Sequence, residues 1–136
     1  MTATTFTTDL HLLCYTALVS LLMWIPYILC AIKQFGLMRM VGYPACDYAE
    51  LPQWAQRLHH AHRNMGENLA AFAIFVIVAH ITGTANEMTE LGARMFFYSR
   101  LLQIAGHTAG IPFARTITFA VGWAGNLLIL LQIIGY

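Results

Sequence analysis

The uncharged stretches of the chain predict membrane-spanning helices at both of its ends. Residues 10–32 carry no formal charge, and a helix of that length covers a hydrocarbon core of roughly 30 Å. Pro26 lies inside this run, where its missing N–H predicts a kink. A signal peptide is the competing interpretation of this run. It is disfavoured because no basic residue precedes the run, which is also too long for a signal peptide's apolar region. Residues 116–136 form the second uncharged run.

Two middle segments predict further helices despite their charges. Residues 54–82 have an almost wholly apolar second half, and residues 88–109 follow after a short gap, although neither segment is expected to pass a strict hydropathy threshold. Both must turn their ionisable side chains toward the bundle interior or toward water. The predicted fold class is therefore an all-α membrane protein, a four-transmembrane-helix bundle with up-down-up-down order in a single domain over residues 1–136. Its helices are expected at about 10–33, 54–82, 88–109 and 115–135.

The connections between these segments carry the usual boundary signals. Residues 34–53 contain glycine, proline and charged side chains, which is typical of a polar loop. Thr84 and Glu87 have the spacing of a capping box ahead of the third helix. Gly110 and Pro112 favour a short turn into the fourth helix.

Composition supports a membrane location. The 136 residues are 59% hydrophobic and only 10% charged, whereas soluble domains are about one quarter charged. The net charge of +1 gives no basic surface for nucleic acid. The Lys and Arg residues of the short loops place the first and third loops in the cytoplasm and both termini outside. The lack of a targeting segment favours a bacterial inner membrane. Cys14, Cys30 and Cys46 are expected to be free thiols.

Polar side chains converge at one depth of the predicted bundle. On the second helix they recur at steps of three and four residues, which places them on one face: Arg57, His60, Arg63, Asn64 and Glu67. The third helix carries Arg100, Gln103 and His107 near its end, and Arg115 begins the fourth. Because the second and third helices are antiparallel, these groups are expected to meet in the cytoplasmic half.

The charges of this constellation indicate an anionic ligand. Arg63, Arg100 and Arg115 against Glu67 leave an excess of two positive charges, which is costly to bury without compensation. Arginine grips carboxylates in bidentate fashion, and Glu67 suits an ammonium group, so a zwitterionic peptide with several carboxylates fits better than a lipid phosphate. The alternative to a ligand site is a purely structural ion pair between Arg63 and Glu67.

A metal site is the other alternative for this region of the second helix. It would be built from His59, His60 and His62. We predict no metal here, because the nearby arginines repel a cation and no metal-ligand motif occurs.

The motifs resemble those of the MAPEG superfamily, the membrane-associated proteins in eicosanoid and glutathione metabolism. The resemblance is carried by the segment RLHHAHRNMGENL from Arg57 on the second helix, and by SRLLQIAGH from Ser99 followed by GIPFART. It implies a homotrimer that binds glutathione between subunits and acts on a hydrophobic small molecule or a lipid. The implied glutathione contacts are Arg63, Asn64, Glu67, Arg100, Gln103 and Lys33, and the implied catalytic residues are Arg115 and His107.

One position departs from the family pattern. Catalytic relatives often carry a tyrosine where this chain has His107. The leading hypothesis is a glutathione-dependent membrane transferase or peroxidase, in which an arginine near the sulfur stabilises the thiolate. The alternative is a non-catalytic lipid- or glutathione-binding protein of the same fold, because a histidine could mark lost catalysis. A small transporter or channel subunit is a third hypothesis, disfavoured because no internal repeat is visible.

Overall fold

The computed structural model describes residues 6–135 and contains only helices and connecting segments in that range. The helices are α1 (Thr8–Leu22), α2 (Trp24–Phe35), α3 (Leu37–Val41), α4 (Gln53–Ile81), α5 (Glu87–Ala109) and α6 (Ala114–Ile134), with one 3₁₀ turn at Tyr48–Glu50. No strand occurs among the described residues, so the predicted all-α class is confirmed. Residue 136, the last of the second uncharged run, lies outside the described range.

The first apolar run is one helical path with an interruption before Pro26. α1 ends at Leu22 and α2 begins at Trp24, while Met23 keeps near-helical dihedral angles of −62° and −27°. The interruption follows from Pro26, because its ring has no N–H to donate to the Leu22 carbonyl and clashes with that carbonyl in a regular helix. The predicted kink therefore appears as a break that lies three residues upstream of the proline.

Within residues 6–135, three helical segments are long and apolar enough to cross a membrane, by length and composition. They are Thr8–Phe35, Gln53–Ile81 and Ala114–Ile134. The expectation that the second predicted helix would fail a strict hydropathy threshold was wrong, because the apolar second half of α4 outweighs its charged first half. α5, which carries four charged residues, does not meet the criterion, and its membrane crossing stays a prediction.

The start of α5 is capped differently from the sequence prediction. Asn86, and not Thr84, is the N-cap, and its side chain accepts hydrogen bonds from the amides of Met88 and Thr89. The Thr89 hydroxyl accepts in turn from the Asn86 amide at 2.9 Å, which completes the capping box. The predicted box of Thr84 and Glu87 was wrong, because Asn86 lies immediately before the first helical residue and captures the free amides itself.

α5 and α6 approach each other through glycines. A Cβ added to Gly125 would lie 2.5 Å from the carbonyl oxygen of Gly92, and the reciprocal substitution meets the Gly125 carbonyl at the same distance. Such backbone contact is typical of membrane helices whose interface residues are small. The pair α5–α6 consequently has the most extensive packing of any two helices in the described chain.

Two apolar clusters hold the bundle together, one toward each end. One joins α2 to the first half of α4 through Tyr27, Ala55 and Met65. The other joins α4, α5 and α6, where the rings of Phe72 and Phe96 stack at 4.2 Å.

A polar contact ties the beginning of α1 to the end of α4. Asp9 is buried, and its carboxylate accepts from Nε2 of His80 at 2.9 Å. The Thr7 hydroxyl contacts both side chains and lies 3.0 Å from the same histidine nitrogen. This contact lies at the end of the bundle opposite to the polar groups predicted on α4 and α5.

Candidate functional site

A polar cavity of about 220 Å³ opens between α4, α5 and the beginning of α6. Its walls are formed by His60, Ala61, Arg63, Asn64, Glu67, Gln103, His107 and Arg115. At about 1.5 Å per residue, Arg63 lies roughly 15 Å from the start of α4, whereas Gln103 lies roughly 9 Å from the end of α5. The cavity therefore occupies the end of the bundle at which α4 begins and α5 ends.

α4 supplies one wall from its polar stripe. His60, Arg63, Asn64 and Glu67 all line the cavity, and their three- and four-residue spacing places them on one helix face. Arg57, the first member of the predicted stripe, does not. Its guanidinium donates to Gln53 at 3.1 Å and lies over Gly110, where any Cβ would collide with it.

Arg63 and Glu67 do not form the structural ion pair that was considered as the alternative. The ion pairs found within residues 6–135 are Asp9–His80 and Glu90–Arg94. Both cavity residues are exposed in the single chain, so their charges remain available to a ligand or to a neighbouring molecule.

α5 contributes Gln103 and His107 to the wall, whereas Arg100 lies behind it. Arg100 is only 2% exposed and does not line the cavity. Its Nη1 donates to the side-chain oxygen of Gln103 at 2.7 Å and to that of Asn64 at 3.1 Å. Asn68, one turn further along α4, also donates to the Asn64 oxygen, at 2.7 Å. Arg100 thus links the α4 wall to the α5 wall through the oxygens of two carboxamides.

The space for the buried guanidinium comes from α6. A Cβ on Gly122 would lie 2.8 Å from Nη2 of Arg100 and 2.8 Å from the Ser99 hydroxyl. The Arg100 guanidinium carbon lies 5.0 Å from the Phe96 ring centre and 5.4 Å from that of Phe119, within cation–π range. Its Nε and Nη2 have no hydrogen-bond partner in the described part of the chain. Aromatic faces therefore surround the half of the guanidinium that the carboxamides do not reach.

The turn between α5 and α6 places Arg115. Gly110 ends α5 in the left-handed conformation, and Phe113 precedes α6 with a φ of 65°. α6 then begins at Ala114, so Arg115 lies in its first turn and lines both the cavity and a second recess beside Thr116 and Phe119.

Lys33 is not brought to this cavity. It is exposed in the last turn of α2 and is absent from the cavity wall.

The three neighbouring histidines of α4 face different surroundings. His60 lines the cavity, but the His62 ring nitrogen Nδ1 is 2.8 Å from the Tyr27 hydroxyl, and the His59 ring stacks on Tyr48 at 4.5 Å. Among residues 6–135, no group of three histidine, cysteine or acidic side chains is placed to hold a metal ion.

Sequence reasoning missed two residues that shape the site. Asn68 could have been predicted from its spacing of four residues from Asn64. Gly122 has no local signal, because its role depends on how α6 packs against α5.

An apolar groove of about 410 Å³ also runs between α5 and α6, lined by Tyr98, Leu102 and Val121 among others.

The helices and the cavity together define the class of protein. It is an α-helical membrane protein with a cation-rich polar pocket among its helices. A family model described as the MAPEG family matches residues 12–135, nearly the whole chain, and the protein belongs to this family. The resemblance inferred from the α4 and α5 motifs is thereby confirmed, and the family is associated with glutathione and eicosanoid metabolism in membranes. No curated protein and no solved structure matches the chain.

Proposed function

We propose that this protein is an integral membrane glutathione transferase or peroxidase that activates the glutathione thiol against a hydrophobic electrophile or a lipid hydroperoxide. The observation that carries the proposal is the cavity itself, whose wall combines two arginines with one glutamate and two carboxamides. Glutathione carries two carboxylates, one ammonium group and a thiol, so it offers a partner for each of these groups. Membership of the MAPEG family supports the same ligand.

The ligand groups are assigned by charge. Arg63 and Arg115 bind carboxylate or thiolate, since guanidinium forms short, charge-assisted hydrogen bonds with anions. Glu67 binds the ammonium group of the γ-glutamyl end. Asn64 and Gln103 line the same cavity and complete its polar wall.

The size and exposure of the cavity support a site shared between copies of the chain. Its volume of about 220 Å³ lies below the roughly 300–1,000 Å³ of complete small-molecule pockets, so one subunit encloses only part of the ligand. Arg63 and Glu67 are exposed on a helix that is apolar enough to span a membrane, and charged groups there normally face protein or water. We therefore propose a homotrimer of four-span subunits, in which Lys33 enters the site from a neighbouring copy. We also propose that the cavity opens toward the cytoplasm.

The chemistry requires a thiolate. Arg115 lines the cavity, where its positive charge lowers the pKa of a bound thiol, and His107 in the same wall donates a hydrogen bond to the ligand. In transfer, the thiolate sulfur forms a bond to the electrophilic carbon as the leaving group departs with its electron pair. In reduction, the sulfur takes the terminal oxygen of the hydroperoxide and an alcohol is released. A second glutathione then converts the resulting sulfenic acid into the disulfide and water. The hydrophobic substrate approaches from the membrane.

The test uses detergent-purified protein, glutathione, and either a hydrophobic aryl halide or a lipid hydroperoxide. Arg115→Ala should lower kcat/KM at neutral pH by about tenfold or more, because a thiol pKa raised by one unit or more reduces the thiolate fraction in proportion. Arg94→Ala is the matched control, since Arg94 is an exposed arginine that pairs with Glu90 away from the cavity. Failure of the wild-type protein to bind millimolar glutathione in calorimetry would overturn the proposal.

A second candidate function is supported by one residue. His107 lines the cavity at the position where catalytic relatives often carry tyrosine, and this favours a protein of the same fold that binds lipid or glutathione without catalysis. His107→Tyr separates the two functions. Activity that appears only in the variant would support the binding protein, whereas activity already present in the wild type supports the enzyme.

A further inference from the structure

The carboxamides of Asn64 and Gln103 have a fixed orientation, and Arg100 is the cause. Arginine has hydrogen-bond donors and no acceptor, so only the oxygen of an amide can face it. Nη1 of Arg100 lies 3.1 Å from the Asn64 oxygen and 2.7 Å from the Gln103 oxygen. Asn68 donates to the Asn64 oxygen as well, which reinforces that orientation. Neither amide can turn over without placing its NH₂ group against a guanidinium.

The NH₂ groups of the same two residues are therefore the parts left for a ligand. Both residues line the cavity, and neither amide nitrogen has a hydrogen-bond partner among residues 6–135. Neither nitrogen is among the fully buried, unpaired atoms, so both keep some accessible surface, and both belong to residues that line the cavity. The wall that contains Arg63 and Arg115 consequently offers hydrogen-bond donors. Glu67 is the one carboxylate in the same wall.

We propose that Arg100 is a positioning residue, which turns both carboxamides into donors and so makes this wall selective for a carboxylate over a neutral carboxamide. The inference rests on the proposed function, because the carboxylate is taken to be one of those of glutathione. Either oxygen of a carboxylate accepts hydrogen bonds from the two NH₂ groups. A ligand carboxamide has one oxygen only, and when its NH₂ group faces the wall, donors meet donors. Arg100 itself is buried behind the wall and does not touch the ligand.

The decisive experiment is a double-mutant cycle measured by calorimetry with glutathione. Arg100→Met removes the donors but keeps an unbranched apolar side chain between Phe96 and Phe119. In the wild-type background it should weaken glutathione binding by about tenfold, the usual scale for one hydrogen bond to a charged group. In a Gln103→Leu background its effect should fall to about threefold or less, because residues that act through one another are not additive. Equal losses in the two backgrounds would mean that Arg100 does not act through Gln103, and would overturn the inference.

A second measurement does not depend on the stability of the Gln103→Leu protein, in which the Arg100 charge loses one acceptor. Glutathione is compared with two analogues, in which either the glycine carboxylate or the γ-glutamyl α-carboxylate is replaced by a carboxamide, and the preference is taken against the analogue that wild-type protein binds more weakly. Wild-type protein should prefer glutathione by about tenfold or more, and Arg100→Met should narrow that preference because both wall amides can then turn over. An unchanged preference in Arg100→Met would overturn the inference while the proposed function stands. If wild-type protein binds no glutathione, both are overturned.

Discussion

The backbone contact between α5 and α6 gives the sharpest test of the fold. Gly125→Ala adds one carbon at a point 2.5 Å from the Gly92 carbonyl oxygen and 3.1 Å from the Phe96 amide nitrogen. Carbon and oxygen atoms in close helix–helix contacts lie about 3.3 Å apart, so the added atom is about 0.8 Å too close. Both opposing atoms belong to the backbone and no side-chain rotation relieves the clash. The two helices must therefore separate.

The magnitude follows from two opposing effects. Overpacking in a well-packed interior costs about 1–3 kcal/mol, and a clash against backbone belongs at the upper end of that range. Replacing an interior helical glycine by alanine recovers about 1 kcal/mol of helix propensity. The expected net loss is about 2 kcal/mol, which corresponds to a fall of about 8 °C in Tm at roughly 4 °C per kcal/mol for a chain of this size.

The assay is thermal denaturation of the detergent-solubilised protein, followed by circular dichroism. Gly66→Ala is the control, because Gly66 also lies inside a helix but a Cβ there meets no atom within 4 Å. The control should keep or slightly raise the melting temperature. A Gly125→Ala protein that melts within about 2 °C of wild type would refute the close α5–α6 contact, because that shift is smaller than 1 kcal/mol produces.

The remaining predictions concern the ends of the helices. Asn86→Ala should lower stability by about 1 kcal/mol in the same denaturation assay, because it removes the acceptor for two amides in the first turn of α5. Thr84→Ala should cost clearly less, and equal losses would contradict the observed cap. Asp9→Asn should cost about 2 kcal/mol, because it leaves His80 without its charged partner in a buried contact. The double variant Asp9→Asn/His80→Ala should be no less stable than the less stable of the two single variants, Asp9→Asn and His80→Ala. Additive losses of stability would show that the two side chains act independently.

Local spacing was sufficient to predict which residues share a helix face. Arg63, Asn64 and Glu67 lie on one face of α4 because helical periodicity alone requires it, and the antiparallel order of α4 and α5 brings Gln103 and His107 opposite them. Residue type and spacing therefore predict a shared face and a shared depth. They carry no information on whether a side chain on that face lines a cavity or lies beneath its surface.

That second distinction needs packing between distant parts of the chain. Arg100 lies behind the wall because Gly122 on α6 leaves room for its guanidinium. No sequence pattern within α5 predicts that this space exists. Asp9 and His80 are 71 residues apart and likewise share no local pattern. The capping error had a different cause, because Thr84 and Asn86 are both good capping residues and only the exact start of the helix decides between them.

The glycine contact also divides the cavity wall into two parts that are packed to different extents. With their backbones touching at Gly92 and Gly125, α5 and α6 form one stiff unit that carries Gln103, His107 and Arg115 together. α4 packs less extensively against that unit and is linked to it at the cavity by the bond between Asn64 and Arg100. A displacement of α4 away from that unit would therefore widen the cavity but leave the spacing among the α5 and α6 groups intact. The α5–α6 side of the cavity is therefore the rigid wall, and α4 is the wall that is packed less extensively against it.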